Sequence, residues 1–227
     1  MVGQDTRFAP HRPWPSRSSA SGPDAADGVR SGSVPVSVDP SKVREFADAA
    51  AFYAWLTVHH DRETEVWIKI HKVRSGRPSI TPAQAIDVVL CWGWIDAIRK
   101  RFDEESFLQR YTRRGKRSTW SQINVANVAR LVKEGRMTEH GLAEVRAAKA
   151  DGRWERAYGS GKAMKIPEDF QAAIDASPRA KKMLATLSAR NRFTMAVGVH
   201  NLKTPAGRAR KIAKFVAMLE RGETPYP

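Results

Sequence analysis

Asp96 stands in the run Leu90-Cys91-Trp92-Gly93-Trp94-Ile95-Asp96-Ala97-Ile98-Arg99-Lys100, a lone carboxylate among tryptophans with cations behind it. Strand alternation puts it on the face of Trp94 and Ile98, and a half-buried carboxylate needs a partner. Such a group can act as an acid, a base or a ligand contact. It can equally be a structural aspartate accepting hydrogen bonds from a cation or the backbone, and that reading is taken first because structural ion pairs also retain buried carboxylates. No second acid lies at catalytic spacing, so no catalytic residue is assigned. Downstream, Arg113-Arg114-Gly115-Lys116-Arg117-Ser118-Thr119 runs into a helix expected to begin near Ser121. Backbone donors, hydroxyls and cations there converge at the positive end of a helix dipole, where anions collect. Trp120, between this loop and the helix, offers a stacking surface. The candidate anion or partner site is therefore Asp96, Arg113, Arg114, Lys116, Arg117, Ser118 and Trp120. Against it stands the reading of the loop as merely solvated arginine.

Other chemistries find no support. Neither G-x-x-x-x-G-K-[ST] nor G-x-G-x-x-G occurs, so nucleotide chemistry is not indicated. His59 and His60 are adjacent, which on a helix points them to different sides instead of the i, i+4 geometry of a metal pair. Cys91, with no activating base in view and tryptophans beside it, reads as a small buried apolar thiol. With no C-x-x-C or Cys/His spacing, no metal and no cofactor are expected.

The elements that must hold these residues are legible in part. Phe52, Trp55, Leu56 and His59 recur at i, i+3, i+4 and i+7 after Asp48, which predicts a capped helix to about His60. Glu65 to Val73 alternates, with Val66, Ile68 and Ile70 on one face and Trp67, Lys69 and His71 on the other, the period of a strand with one covered face. Thr81-Pro82 opens a second helix that Gly93 ends. A strand from Trp94 to Phe102, a turn at Asp103-Glu104-Glu105 and a return strand from Ser106 to Thr112 make a hairpin. The first two strands are expected to be parallel through a crossover, the third antiparallel. Ile123 or Val125, Val128, Leu131 and Val132 make a helical stripe ending at Gly135, and Thr138 caps a second helix carrying Leu142, Val145 and Ala148 to Gly152; the short Gly135-Arg136-Met137 joint predicts a helical hairpin. Three more helices follow, punctuated by Pro167, Pro178 and Pro205, each proline expected at the first helical position where the N–H would be unpaired anyway, and the last helix carries Ile212, Phe215, Val216 and Leu219 on one side. The fold class expected is α+β, predominantly helical: a small three-stranded mixed sheet backed by helices, then a C-terminal helical module.

Three motifs in order, Gly93-Trp94-Ile95-Asp96, Leu108-Gln109-Arg110-Tyr111-Thr112 and Ser118-Thr119-Trp120-Ser121-Gln122-Ile123-Asn124, resemble the YdeI/OmpD-associated, or bacteriocin-protection, family. The likeness extends from about residue 44 to residue 222, and Ile166–Phe170 through Phe215–Leu219 looks like the family's namesake module. It implies a bacterial protein, tied to stress response, that supports survival of antimicrobial peptides or bacteriocins. Where the family has T-P-R-R-P-R, this chain has Thr112-Arg113-Arg114-Gly115-Lys116-Arg117, which makes the loop more basic and removes both prolines.

Charge bounds the partners. The 227 residues carry a net charge of +15, which favours an acidic partner: nucleic acid, an anionic surface or a small anion. Residues 1–40, rich in Ser, Pro, Gly and Arg, are expected to be a disordered extension; they contain four basic and four acidic residues, so the excess belongs to the rest. An Arg/Ser-rich transit peptide is the alternative, opposed by Asp5, Asp24 and Asp27. Residues 41–157 are expected to form the α+β domain and residues 158–227 the helical module. The longest apolar run, Val88 to Ile95, is far short of the roughly 20 residues of a membrane helix. With a single cysteine, the expected home is the cytoplasm. Three readings follow: a non-enzymatic resistance protein acting through a protein partner, a nucleic-acid binder, or an enzyme acting on a small anionic substrate. From Ser177 to Gly222 eleven basic residues face one acidic residue, which is the footprint of the second.

Overall fold

Asp48 accepts a hydrogen bond from the Ala51 amide at 2.8 Å and so starts helix α1, Ala49–His59, which buries Phe52 and Leu56. The computed structural model describes residues 37–159 and 164–226. The expected extension lies outside the described residues as far as residue 36, as do residues 160–163 of the connector. Helix α2, Pro82–Cys91, begins with a reciprocal cap: Thr81 accepts from the Gln84 amide, Gln84 accepts from the Thr81 amide, and Pro82 sits where no donor is needed.

The sheet has four strands where three were expected, in the order β1 (Val43–Arg44), β2 (Glu65–His71), β4 (Ser106–Arg113), β3 (Trp94–Arg101). Two residues are too short a run for alternation to reveal β1, which pairs parallel to β2. The hairpin is as expected, its turn closed by Asp103 accepting from the Glu105 and Ser106 amides. Yet β2 and β3 are not neighbours. They run parallel only because each is antiparallel to β4, whose free edge takes β2 in unbroken register from Glu65↔Thr112 to His71↔Ser106. Val66, Ile68, Ile70 and Tyr111 share the face that packs with α1 and α2 into one core. The other face is covered too: Trp67 and Leu108 are buried on it, with the Lys100 ammonium 5.9 Å from the Trp67 ring.

Helices α3 (Gln122–Lys133) and α4 (Glu139–Ala150) do not form the expected hairpin. Both pack chiefly against α2. The reason lies at Gly141, buried on α4, where an added Cβ would stand 2.4 Å from the Cys91 carbonyl oxygen and 2.7 Å from that of Leu90. The first turn of α4 rests on the end of α2, and Thr138 donates its hydroxyl to the Cys91 carbonyl at 2.6 Å.

Helices α5 (Glu168–Asp175), α6 (Pro178–Thr186), α7 (Ala189–His200) and α8 (Pro205–Glu220) enclose a second core around Phe170, Ile174, Met195 and Phe215. Ile212, Phe215 and Leu219 are the buried stripe of α8. Pro178 and Pro205 take the first helical position behind Ser177 and Thr204, as expected, whereas Pro167 is itself the cap of α5. Lys211 is not simply solvated: its ammonium lies 4.5 Å over the Phe215 ring. Between the two cores Tyr158 meets Phe193 edge-on and His200 contacts the Arg156 carbonyl oxygen.

Gly141→Ala decides between two effects of opposite sign. Alanine raises intrinsic helix stability by about 0.8–1 kcal/mol, but over-packing costs about 1–3 kcal/mol, and a backbone carbonyl cannot rotate away as a side chain can. Denaturant melts should show Gly141→Ala destabilised; a stabilised variant would mean that α4 does not rest on α2.

Candidate functional site

Strand β4 ends at Arg113, and the chain turns back over the start of β3, with the Arg114 amide donating to the Gly93 carbonyl at 3.1 Å. Gly93 has φ +70°, and a Cβ there would meet Glu144 Cγ at 2.9 Å and the His140 carbonyl at 3.0 Å, so both its backbone and its surroundings call for glycine. This turn carries Arg114 inward. Its guanidinium lies 3.6 Å from the centroid of the Trp120 ring, and the residue is only 6% exposed. Nη1 donates to the Thr119 carbonyl at 3.1 Å, whereas buried Nε and Nη2 find no acceptor.

Hairpin register sets Asp96 opposite Tyr111 on β4. The charges of Arg114 and Arg99 favour its carboxylate, but burial outweighs them and raises its pKa. Arg114 makes no hydrogen bond to it, and Arg99 Nε donates to Gln109. Burial likewise pulls the Arg114 guanidinium down to about 10, against the opposing influence of Asp96, Glu144 and Tyr158. The Tyr111 hydroxyl, buried beside Asp96, and that of Tyr158 are both pushed upward. Half-buried Asp96 and buried Arg114 thus feel each other's charge without bonding.

The expected site residues divide between inside and outside. Arg114 and Trp120 come together within, and Asp96 is half-buried within charge range of Arg114. Arg113, Lys116 and Arg117 are exposed, Arg113 donating to the Glu63 carbonyl. Ser118 accepts from the Gly115 amide, closing the tip of the loop, while its carbonyl accepts from buried Arg153 at 2.9 Å. Trp120 is not an open platform: it is 2% exposed, with Arg114 on its face and Trp154 against it edge-on. Nor is the start of α3 bare, since Ser121 accepts from the Asn124 amide and the Gln122 amide donates to the Tyr158 carbonyl. Sequence reasoning missed Tyr111, Glu144, Arg153 and Tyr158. Hairpin register gives the first; the others arrive from later segments with no local signal.

Cys91 is buried and its thiol is pushed up to about 12, chiefly by burial, in keeping with an inert core group. Among the described residues no group of three or more His, Cys, Asp or Glu is placed to hold a metal ion. No described helix is long and apolar enough to cross a membrane.

A second candidate surface lies on the C-terminal helices. A groove of about 560 Å³ runs between α5 and α8, floored by Ala173, Ala209, Ile212, Ala213, Val216 and Ala217. The Arg208–Asp169 ion pair stands at one end, and Glu220, accepting from the Ser177 hydroxyl, at the other. Alanines at 209, 213 and 217 fall on one side of α8 at helical spacing and leave its backbone approachable.

Two family models match the chain. Residues 163–222 match the bacteriocin-protection, YdeI or OmpD-associated family, and residues 44–144 match a domain of unknown function, DUF8412. The resemblance read in the sequence from about residue 44 onward is thus supported over the C-terminal segment, while the Trp94–Asp96 tract falls in the other match. No curated protein and no solved structure matches the chain.

A carboxyl group whose pKa is raised on folding contributes its stability below its unfolded value, near 3.8, and loses it as pH rises through the folded value. Ionised Asp96 therefore costs stability near neutrality. Asp96→Asn should leave the melting temperature at pH 7 unchanged or higher, with any gain shrinking toward pH 4. A clear drop at pH 7 would mean that Asp96 is held by a charge-assisted bond after all.

Proposed function

We propose that this chain is a bacteriocin-protection protein of the YdeI/OmpD-associated type, acting by binding a protein partner instead of turning over a substrate. One coincidence carries the reading: the segment that matches that family, residues 163–222, is the segment that builds the α5–α8 groove. A groove with small side chains on its floor suits an amphipathic helix laid along α8. The charged groups at its ends are Asp169, paired with Arg208, and Glu220, while the chain as a whole carries +15, which favours a partner with an acidic polar flank. A cationic peptide itself is a poor occupant, because a protein of net charge +15 repels it. Protection accordingly runs through a cellular partner, not through sequestration of the peptide.

Charge alone favours nucleic acid as a second reading, and several cations argue against it. Arg208 is paired with Asp169, Lys181 with Asp175 and Arg221 with Glu223, while Lys211 and Arg190 lie over aromatic rings. Retention on DNA or RNA that weakens steeply with salt would favour it over the partner reading.

Expression in a bacteriocin-sensitive strain should raise survival. Ala213→Glu, at an exposed position on the groove floor, should abolish that gain with the melting temperature unchanged. Survival identical with and without the wild-type protein would sink the proposal. Survival unaffected by Ala213→Glu would remove the groove from it.

A further inference from the structure

Arg114 presents an unusual combination of burial and unmet bonding. Nη1 is committed to the Thr119 carbonyl, and the two nitrogens left without an acceptor, Nε and Nη2, are the pair whose N–H bonds point in parallel from one edge of the guanidinium. That edge matches the two oxygens of a carboxylate, the strongest and most directional partner an arginine takes. An unsatisfied buried donor costs about 1–3 kcal/mol, more when it is charged, so folding alone does not account for placing two of them here. The indole Nε1 of Trp120, beneath the same guanidinium, is also buried without an acceptor.

We propose that this open edge of Arg114, stacked on Trp120 and within charge range of Asp96, is a binding site for a small monocarboxylate. It lies outside residues 163–222 and stands independently of the partner groove. Charge balance selects a monoanion. Arg114 and Asp96 already neutralise each other, so an entering carboxylate leaves one excess negative charge in a desolvated place unless Asp96 takes up a proton. Protonated Asp96 then donates to the ligand, and the buried set is again neutral: guanidinium cation, carboxylate anion, carboxylic acid. The other groups facing the pair are Tyr111 and Tyr158, whose phenols burial keeps protonated, Arg99, engaged with Gln109, and Glu144 and Arg153 on the Arg114 side. A phosphate dianion would need two protons or a further uncommitted cation, and the two nearest cations are engaged elsewhere, Arg153 with Asp151 and Arg99 with Gln109.

The loop of residues 115–119 lies against Arg114 through the Thr119 carbonyl. Two buried arginines hold it down through the Thr119 and Ser118 carbonyls, and Lys116 and Arg117 are exposed on its outer side, where they draw anions toward it.

Calorimetric titration of the full chain with sodium acetate and sodium propionate, in two buffers of different ionisation heat, tests the site. Expected is saturable binding with net proton uptake and an affinity that falls, by up to tenfold per pH unit, as pH rises through the Asp96 titration. Asp96→Asn, which supplies a permanent donor, should bind with no proton uptake and a flat pH profile. Arg114→Lys, which has no parallel pair of N–H bonds, should weaken binding at least tenfold. No acetate or propionate binding at tens of millimolar would overturn the proposal. So would inorganic phosphate binding as well as acetate with Arg114→Lys unaffected, which would assign the anions to the exposed loop cations. Should Arg114→Lys fail to fold, proton uptake in Asp96→Asn equal to that of the wild type would still overturn it.

Discussion

The end of helix α2 is the joint on which the fold turns. Its last carbonyls, which a helix terminus leaves without intrahelical partners, are met by the first turn of α4: Thr138 donates both its amide and its hydroxyl to the Cys91 carbonyl. The negative end of one helix dipole thereby meets the positive end of another. Only glycine at 141 lets the backbones approach so closely. Two residues beyond α2, Gly93 reverses the chain into β3, receives the Arg114 amide and lies under Glu144. Strand, loop and helix are thus referred to one point, and the Asp96–Arg114 pair inherits its spacing from it.

Local patterns carried most of the elements. The caps at Asp48, Thr81 and Thr138, the stripe of α8 and the β3–β4 hairpin each depend on residues within a turn or two of one another, so sequence displays them. Strand order does not display itself in this way. The alternation of Glu65–His71 is the same whichever edge it pairs with, and only the tertiary fold sets β4 between β2 and β3. β1, at two residues, has no period to read.

The candidate site was legible in its members and not in its geometry. Asp96, Arg114 and Trp120 stood out by type, but nothing local distinguishes Arg114, which is buried, from Arg113 and Arg117, which are exposed. That choice is made by Gly93 and by the loop's attachment to Arg153, contributed by residues far along the chain. Elsewhere Glu45, Glu134, Asp151 and Asp169 lie near the surface beside cations or hydrogen-bond donors, and those contacts hold their pKa values down. Asp96 moves the other way because burial there exceeds what its neighbours return. The contrast separates a charge that helps folding from one that folding tolerates.

The single thiol of the chain is buried at that same joint, in the last turn of α2 directly beneath α4. Since only a solvated thiolate reacts at an appreciable rate, a disulfide reagent can modify Cys91 only after the two helices part. The chain therefore contains its own clock for this one opening event. With no second sulfhydryl to confuse the signal, the labelling rate of unaltered protein reports how often its central joint comes undone.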